Sequence, residues 1–139
     1  MKLTLKRLLL WGVLLLLAFF AISVIRNYDT IKRVFLGGVK VYETTPPGFP
    51  GSIERPAILV FSKTSGFRHE EAIPAANAMF AGLAKAQGWG HFQTEDGATF
   101  SPGILARFDA VVFNNVSGDV FTPEQRQALK TFLEKGGGQ

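Results

Sequence analysis

The sequence predicts an α/β domain built on a short parallel sheet, preceded by one transmembrane helix. Three observations carry that reading. Strand-like and helix-like segments alternate from residue 57 onward. The first and third strands, Ala57–Ser62 and Asp109–Phe113, hold the continuous apolar runs Ala57–Phe61 and Ala110–Phe113, of the kind buried on both faces of a parallel sheet. Leu8–Ile25 is an unbroken uncharged run, interrupted only by Gly12 and Ser23.

Those eighteen residues span about 27 Å as a helix, close to the thickness of a bilayer's hydrocarbon core. Lys2, Lys6 and Arg7 precede the run and place the N-terminus on the cytoplasmic side. Trp11 suits the interface. A cleaved signal peptide is the alternative. The length of the run and the lack of a clean small-x-small cleavage site favour an anchor. Arg26, Lys32 and Arg33 follow the run and count mildly against export. The chain then divides into an anchor (1–25), a juxtamembrane segment and linker (26–56), and a domain (57–139).

Charge follows the same division. Residues 1–56 carry eight basic and three acidic side chains; residues 57–139 carry seven and eight. The overall +4 therefore belongs to the N-terminal part. The domain has no basic stripe, so nucleic acid is not an expected partner. With no cysteine, disulfides, thiolate metal sites and a cysteine nucleophile are excluded within these residues.

Residues 26–43 show no sustained period. Val34–Leu36 and Val39–Tyr42 fit short strands or a juxtamembrane surface segment. Thr44–Pro56 holds four prolines and two glycines, which reads as a stiff extended tether.

After the first strand comes a polar loop, then a helix from about Pro74. Ile73, Ala76, Phe80, Leu83 and Ala84 are spaced to make its apolar face, with Asn77 beside it and Gly88 as the residue that ends it. Trp89–Glu95 is a weaker strand, suited to a sheet edge. Ser101-Pro102 opens a short helix. Thr122-Pro123-Glu124-Gln125 is a capping box that starts the last helix, which buries Ala128, Leu129, Phe132 and Leu133. Gly136-Gly137-Gly138 ends it. The order β-α-β-α-β-α implies right-handed crossovers and a flavodoxin-like winding, with strands in the order 2-1-3. A fourth strand is expected next, so the sheet is expected to be incomplete and the chain to be the N-terminal portion of a longer domain.

In such a winding the loops 62–72 and 114–121 flank the switch point between strands 1 and 3, where ligands bind. The residues in them supply the candidate site. His69 suits a base, a ligand or a hydrogen-bonding group; its structural alternative is to cap a helix start. Arg68 and Lys63 suit an anionic or hydroxyl-rich ligand, or ion pairs with Glu70, Glu71 or Asp119. Asn114, Asn115 and Asp119 suit sugar hydroxyls or ordinary turn bonding. His91 is expected at the surface, and Glu95-Asp96 in a structural role. Ser62–Gly66 is faintly like a phosphate loop, but Glu70 and Glu71 would repel a phosphate, and no cofactor is expected. No spacing demands a metal.

Three blocks stand out together: K-T-x-G-F-R-H from Lys63, T-E-D from Thr94, and G-D-V-x-x-x-E-Q from Gly118. In order and spacing they resemble the ThuA-like family, named for trehalose utilisation, of the class I glutamine-amidotransferase-like superfamily. The resemblance covers nearly all of 57–139. It implies a role in carbohydrate metabolism, on trehalose-like or oxidised sugars; His69 is then expected as the polar centre, with Arg68, Asn115 and Asp119 lining the crevice. It also implies a further half of the domain after the triple glycine, where the superfamily's cysteine lies. The expected protein is therefore an exported, membrane-tethered domain that binds or processes a sugar. A non-catalytic binding or interaction module is the alternative. The expected partners are the membrane through residues 8–25, a sugar ligand, and the missing C-terminal half of the same domain.

Overall fold

The computed structural model describes residues 4–138. Helix α1 (Leu5–Arg26) is long and apolar enough to cross a membrane by length and composition, and none of its residues is buried. At Asn27 the chain turns into α2 (Tyr28–Phe35), so Val34 and Phe35 are helical rather than extended. Tyr28, Val34, Phe35 and Leu36 are exposed, and Arg33 donates to the Thr64 carbonyl at 3.1 Å.

From residue 57 the elements are β1 (Ala57–Phe61), α3 (Ala72–Gln87), β2 (Gly90–Thr94), α4 (Pro102–Leu105), β3 (Ala110–Phe113) and α5 (Pro123–Glu134), with a 3₁₀ turn at Gly97–Thr99. The three strands are parallel in the order β2-β1-β3. Leu59 lies between Phe92 and Val111, and Phe61 between Thr94 and Phe113. This is an incomplete flavodoxin-like sheet with the weakly apolar β2 at one edge. At the other edge Val111 N–H donates to the Gly138 carbonyl, and Gly138 N–H to the Asp109 carbonyl, both at 2.9 Å. Gly138 thus pairs in parallel with β3, in the place of a fourth strand.

The two faces of the sheet differ. Ala57, Leu59 and Phe61 face an aromatic layer in which Phe61, Phe100 and Phe121 sit with ring centres 4.4–5.2 Å apart. Aromatic rings bury large apolar areas and weigh heavily in core energetics. The other face takes α3 through Ile73, Asn77 and Ala84. That stripe is rotated from the expected one, since Leu83 is 42% exposed and the polar Asn77 is buried. The reason is tertiary: Asn77 meets Asn114 from the end of β3 at 2.8 Å, and a buried amide goes where its partner is.

Of the caps read from the sequence at Gly88, Thr122–Gln125 and Ser101, the first two form and the third does not. Gly88 closes α3 in the left-handed conformation. Thr122 and Gln125 make both bonds of the capping box. Ser101 stands at the N-cap of α4, but its side chain makes no capping bond. His91 is half-buried rather than on the surface, and burial lowers its pKa.

The linker does more than span a gap. Phe49 and Ile53 pack against the core, with Phe49 4.7 Å from the Phe92 ring and 5.7 Å from that of Phe108. Arg107 lies over Phe49 and donates to the Pro50 carbonyl at 3.0 Å. Arg55 pairs with Asp109 at 2.5 Å. Residues 39–43 then run along the C-terminal end of the sheet, against the loops after β1, β2 and β3.

Candidate functional site

The loop after β1 begins as a continuation of the sheet. Ser62, Lys63, Thr64 and Ser65 are all buried. Thr64 bridges to Ser117 in parallel, and Ser65 N–H donates to the Ser117 carbonyl at 2.9 Å. Ser65 Oγ donates to the Asp119 carbonyl at 2.9 Å. Gly118 makes this closeness possible. It has φ +73°, and a Cβ there would stand 2.5 Å from Ser65 Oγ. The two loops are therefore stitched together where the sequence placed a crevice.

Beyond Gly66 the loop turns outward. Phe67 is 51% exposed, and its ring stands edge-on to His69 with centres 4.6 Å apart. His69 is exposed, and its carbonyl accepts from Ile73 N–H at 3.1 Å, where α3 begins. Phe67, Arg68, His69, Glu70, Glu71 and Ala72 line a shallow open depression.

Most of the other candidate side chains have partners inside the chain. Arg68 grips both oxygens of Glu95, at 2.8 and 2.9 Å, and reaches Glu70 at 3.1 Å. Hydrogen bonding to Glu95, outweighing partial burial, raises its already high pKa. Lys63 is held by the Glu43 carboxylate and the Val41 carbonyl. Asn114 is buried and donates to the Ile73 carbonyl at 3.1 Å and to Asn77. Asn115 adopts φ 54° and donates to Asn114 Oδ1 at 2.7 Å. Asp119 faces Arg126 and, at 4.0 Å, Lys40. The Tyr42 hydroxyl, followed by Arg126, holds the Asp119 carboxyl below the usual carboxylate range.

The structure thus leaves Phe67 and His69 exposed on one face, with the half-buried Arg68 between them held by Glu95 and Glu70. It sends Lys63, Asn114 and Asp119 to structural contacts. Glu43 and Gln125 join the Lys63 cluster and were not among the sequence candidates. Glu43 lies 20 positions before its lysine, and no local pattern marks such a pair. Among the described residues, no three His, Asp or Glu side chains come together in a way that would hold a metal ion. A separate cleft of about 330 Å³ lies between α4 and α5, lined by Arg55, Phe108, Asp109 and Phe132. It opens at the opposite, N-terminal end of the strands, away from the loops that carry polar chemistry.

The ThuA family profile, described as trehalose utilisation, matches residues 57–139. The chain belongs to the ThuA family. No curated protein matches it. Among solved structures, a ThuA-like protein from Bacteroides uniformis is similar, with a TM-score of 0.49 and 22% identity over 68% of this chain. The alignment covers 38% of that protein, so this chain spans well under half of its length. All three sequence blocks, from Lys63, Thr94 and Gly118, lie inside the ThuA match.

Proposed function

We propose that this chain serves carbohydrate metabolism by binding a trehalose-like or oxidised sugar on the exposed outer half of the β1 loop. The Phe67–His69 pair carries the reading. An exposed ring beside an imidazole offers an apolar platform for a sugar's C–H face and a hydrogen-bonding group for its hydroxyls. His69 is the group for proton transfer if the sugar is also processed. Membership of a trehalose-utilisation family supports the substrate class.

The test uses the full chain in detergent micelles, titrated with trehalose and with its oxidised derivatives. Phe67→Ala and His69→Ala should each abolish heat of binding while leaving the thermal transition in place. Retained binding in both variants would sink the proposal. If sugar is bound but recovered unchanged, the domain is a binding module. The internal pairing of Lys63, Arg68 and Asp119 favours that second reading, because few charged groups remain free for chemistry.

We also propose that α1 is retained as an anchor and holds the domain on the exported side. Its length and hydropathy support this, as do the three basic residues before it. The absence of cysteine makes the test clean. An Ala86→Cys variant should react with a membrane-impermeant maleimide in intact cells; labelling only after lysis would reverse the orientation.

A further inference from the structure

Lys63 carries its charge where water scarcely reaches, with a side chain only 8% exposed. Its ammonium touches one Glu43 carboxylate oxygen and donates to the Val41 carbonyl at 2.5 Å. The same Glu43 oxygen accepts from Gly97 N–H at 3.0 Å. Gln125 Nε2 donates instead to the backbone carbonyl of Glu43, at 2.8 Å, and so holds the strap and not the carboxylate. The two donors to the carboxylate, Lys63 and Gly97, lie within the ThuA match, in separate parts of it. The acid comes from upstream, and it is the one ion-pair partner of Lys63 among the described residues. A buried ammonium with no counter-charge is costly. The domain's own residues therefore present a set of donors that needs an anion.

The segment that supplies the anion is held by polar contacts and buries little apolar surface. Val39 N–H donates to the Ser65 carbonyl at 2.7 Å, and Lys40 faces Asp119 at 4.0 Å. Val41 is 56% exposed and Tyr42 38%. Such a strap has little hydrophobic adhesion to lose on lifting.

We propose that Lys63 and the Gly97 amide form a carboxylate-binding subsite, filled in cis by Glu43 and open to a small organic carboxylate when the 39–43 strap lifts. The subsite shares no residue with the Phe67–His69 face, so the two proposals stand or fall separately.

Calorimetry on the full chain in detergent micelles tests it, with glucuronate as the probe and glucose as its neutral counterpart. Glu43→Ala should bind glucuronate roughly tenfold or more tighter than the unsubstituted chain. The glucose isotherm should not change, and adding Lys63→Met to Glu43→Ala should remove the gain. A folded Glu43→Ala chain that binds glucuronate no tighter overturns the proposal. So does a gain that survives Lys63→Met, or one that glucose shares. If Glu43→Ala melts early, acetate in solution should restore its thermal transition where chloride does not. A variant that stays unfolded in acetate also overturns the proposal, because the carboxylate must then be tethered.

Discussion

Ser62–Ser65 and Phe67–Glu71 are successive pieces of one loop, and they have opposite characters. The first is buried and hydrogen-bonded into the loop after β3, with Lys63 neutralised by an acid from the strap. The second is exposed apart from the half-buried Arg68, and it ends where α3 begins. The difference arises at Gly66. Before it the backbone still follows the sheet direction and pairs with residue 117; after it no strand partner is found among the described residues. A continuous motif, K-T-x-G-F-R-H, is thus divided into a structural half and a half available to a ligand.

That contrast can be broken most strongly at Lys63. Lys63→Met should cost about 3 kcal/mol, because it leaves Glu43 partly buried without its cation. Urea denaturation of the full chain would measure it, and a loss below about 1 kcal/mol would mean that the inner half is not held as described. Asn114→Ala should follow, at about 2 kcal/mol, since it leaves Asn77 Oδ1 without its donor in a buried place and removes a second bond to the Ile73 carbonyl.

Acid should separate the strap and linker from the domain at smaller cost. Burial pushes the Glu43 carboxyl up, but hydrogen bonds from Lys63 and Gly97 outweigh it and leave the pKa below the ordinary range. Arg55 lowers Asp109, and Tyr42 with Arg126 lowers Asp119. Groups with depressed folded pKa values stabilise the fold above their unfolded pKa and lose that contribution as pH falls through the folded value. Below pH of about 4, amide exchange at Val39 should therefore accelerate before that of the β1 amides. Simultaneous exchange would show that strap and sheet open as one unit.

The smallest expected effect sharpens the contrast from the other side. His69→Ala should change stability by no more than about 0.5 kcal/mol, because the imidazole is exposed and its ring only meets Phe67. A loss comparable to that of Lys63→Met would assign His69 to structure.

Much of the domain was legible in the residues. Apolar runs announce β1 and β3, Thr122–Gln125 announces the start of α5, and Gly88 announces the end of α3. The winding order follows from the alternation of elements and from the handedness of crossovers. The candidate site was less legible. Its loops were located correctly at the strand ends, but the roles of their side chains depend on partners far along the chain. Arg68 finds Glu95 across 27 positions, and Gln125 finds Glu43 across 82.

The sequence by itself determined a long apolar helix, a three-stranded parallel sheet with its flanking helices, and membership of a family. These rest on local periodicity, capping and turn chemistry, all short-range properties. Tertiary structure alone decided which charges are neutralised and that a Pro-rich linker packs Phe49 and Ile53 into the core. It also decided that a strap lies across the sheet's C-terminal end. Burial and ion pairing belong to the space around a side chain, and that space is filled by residues that no local window contains.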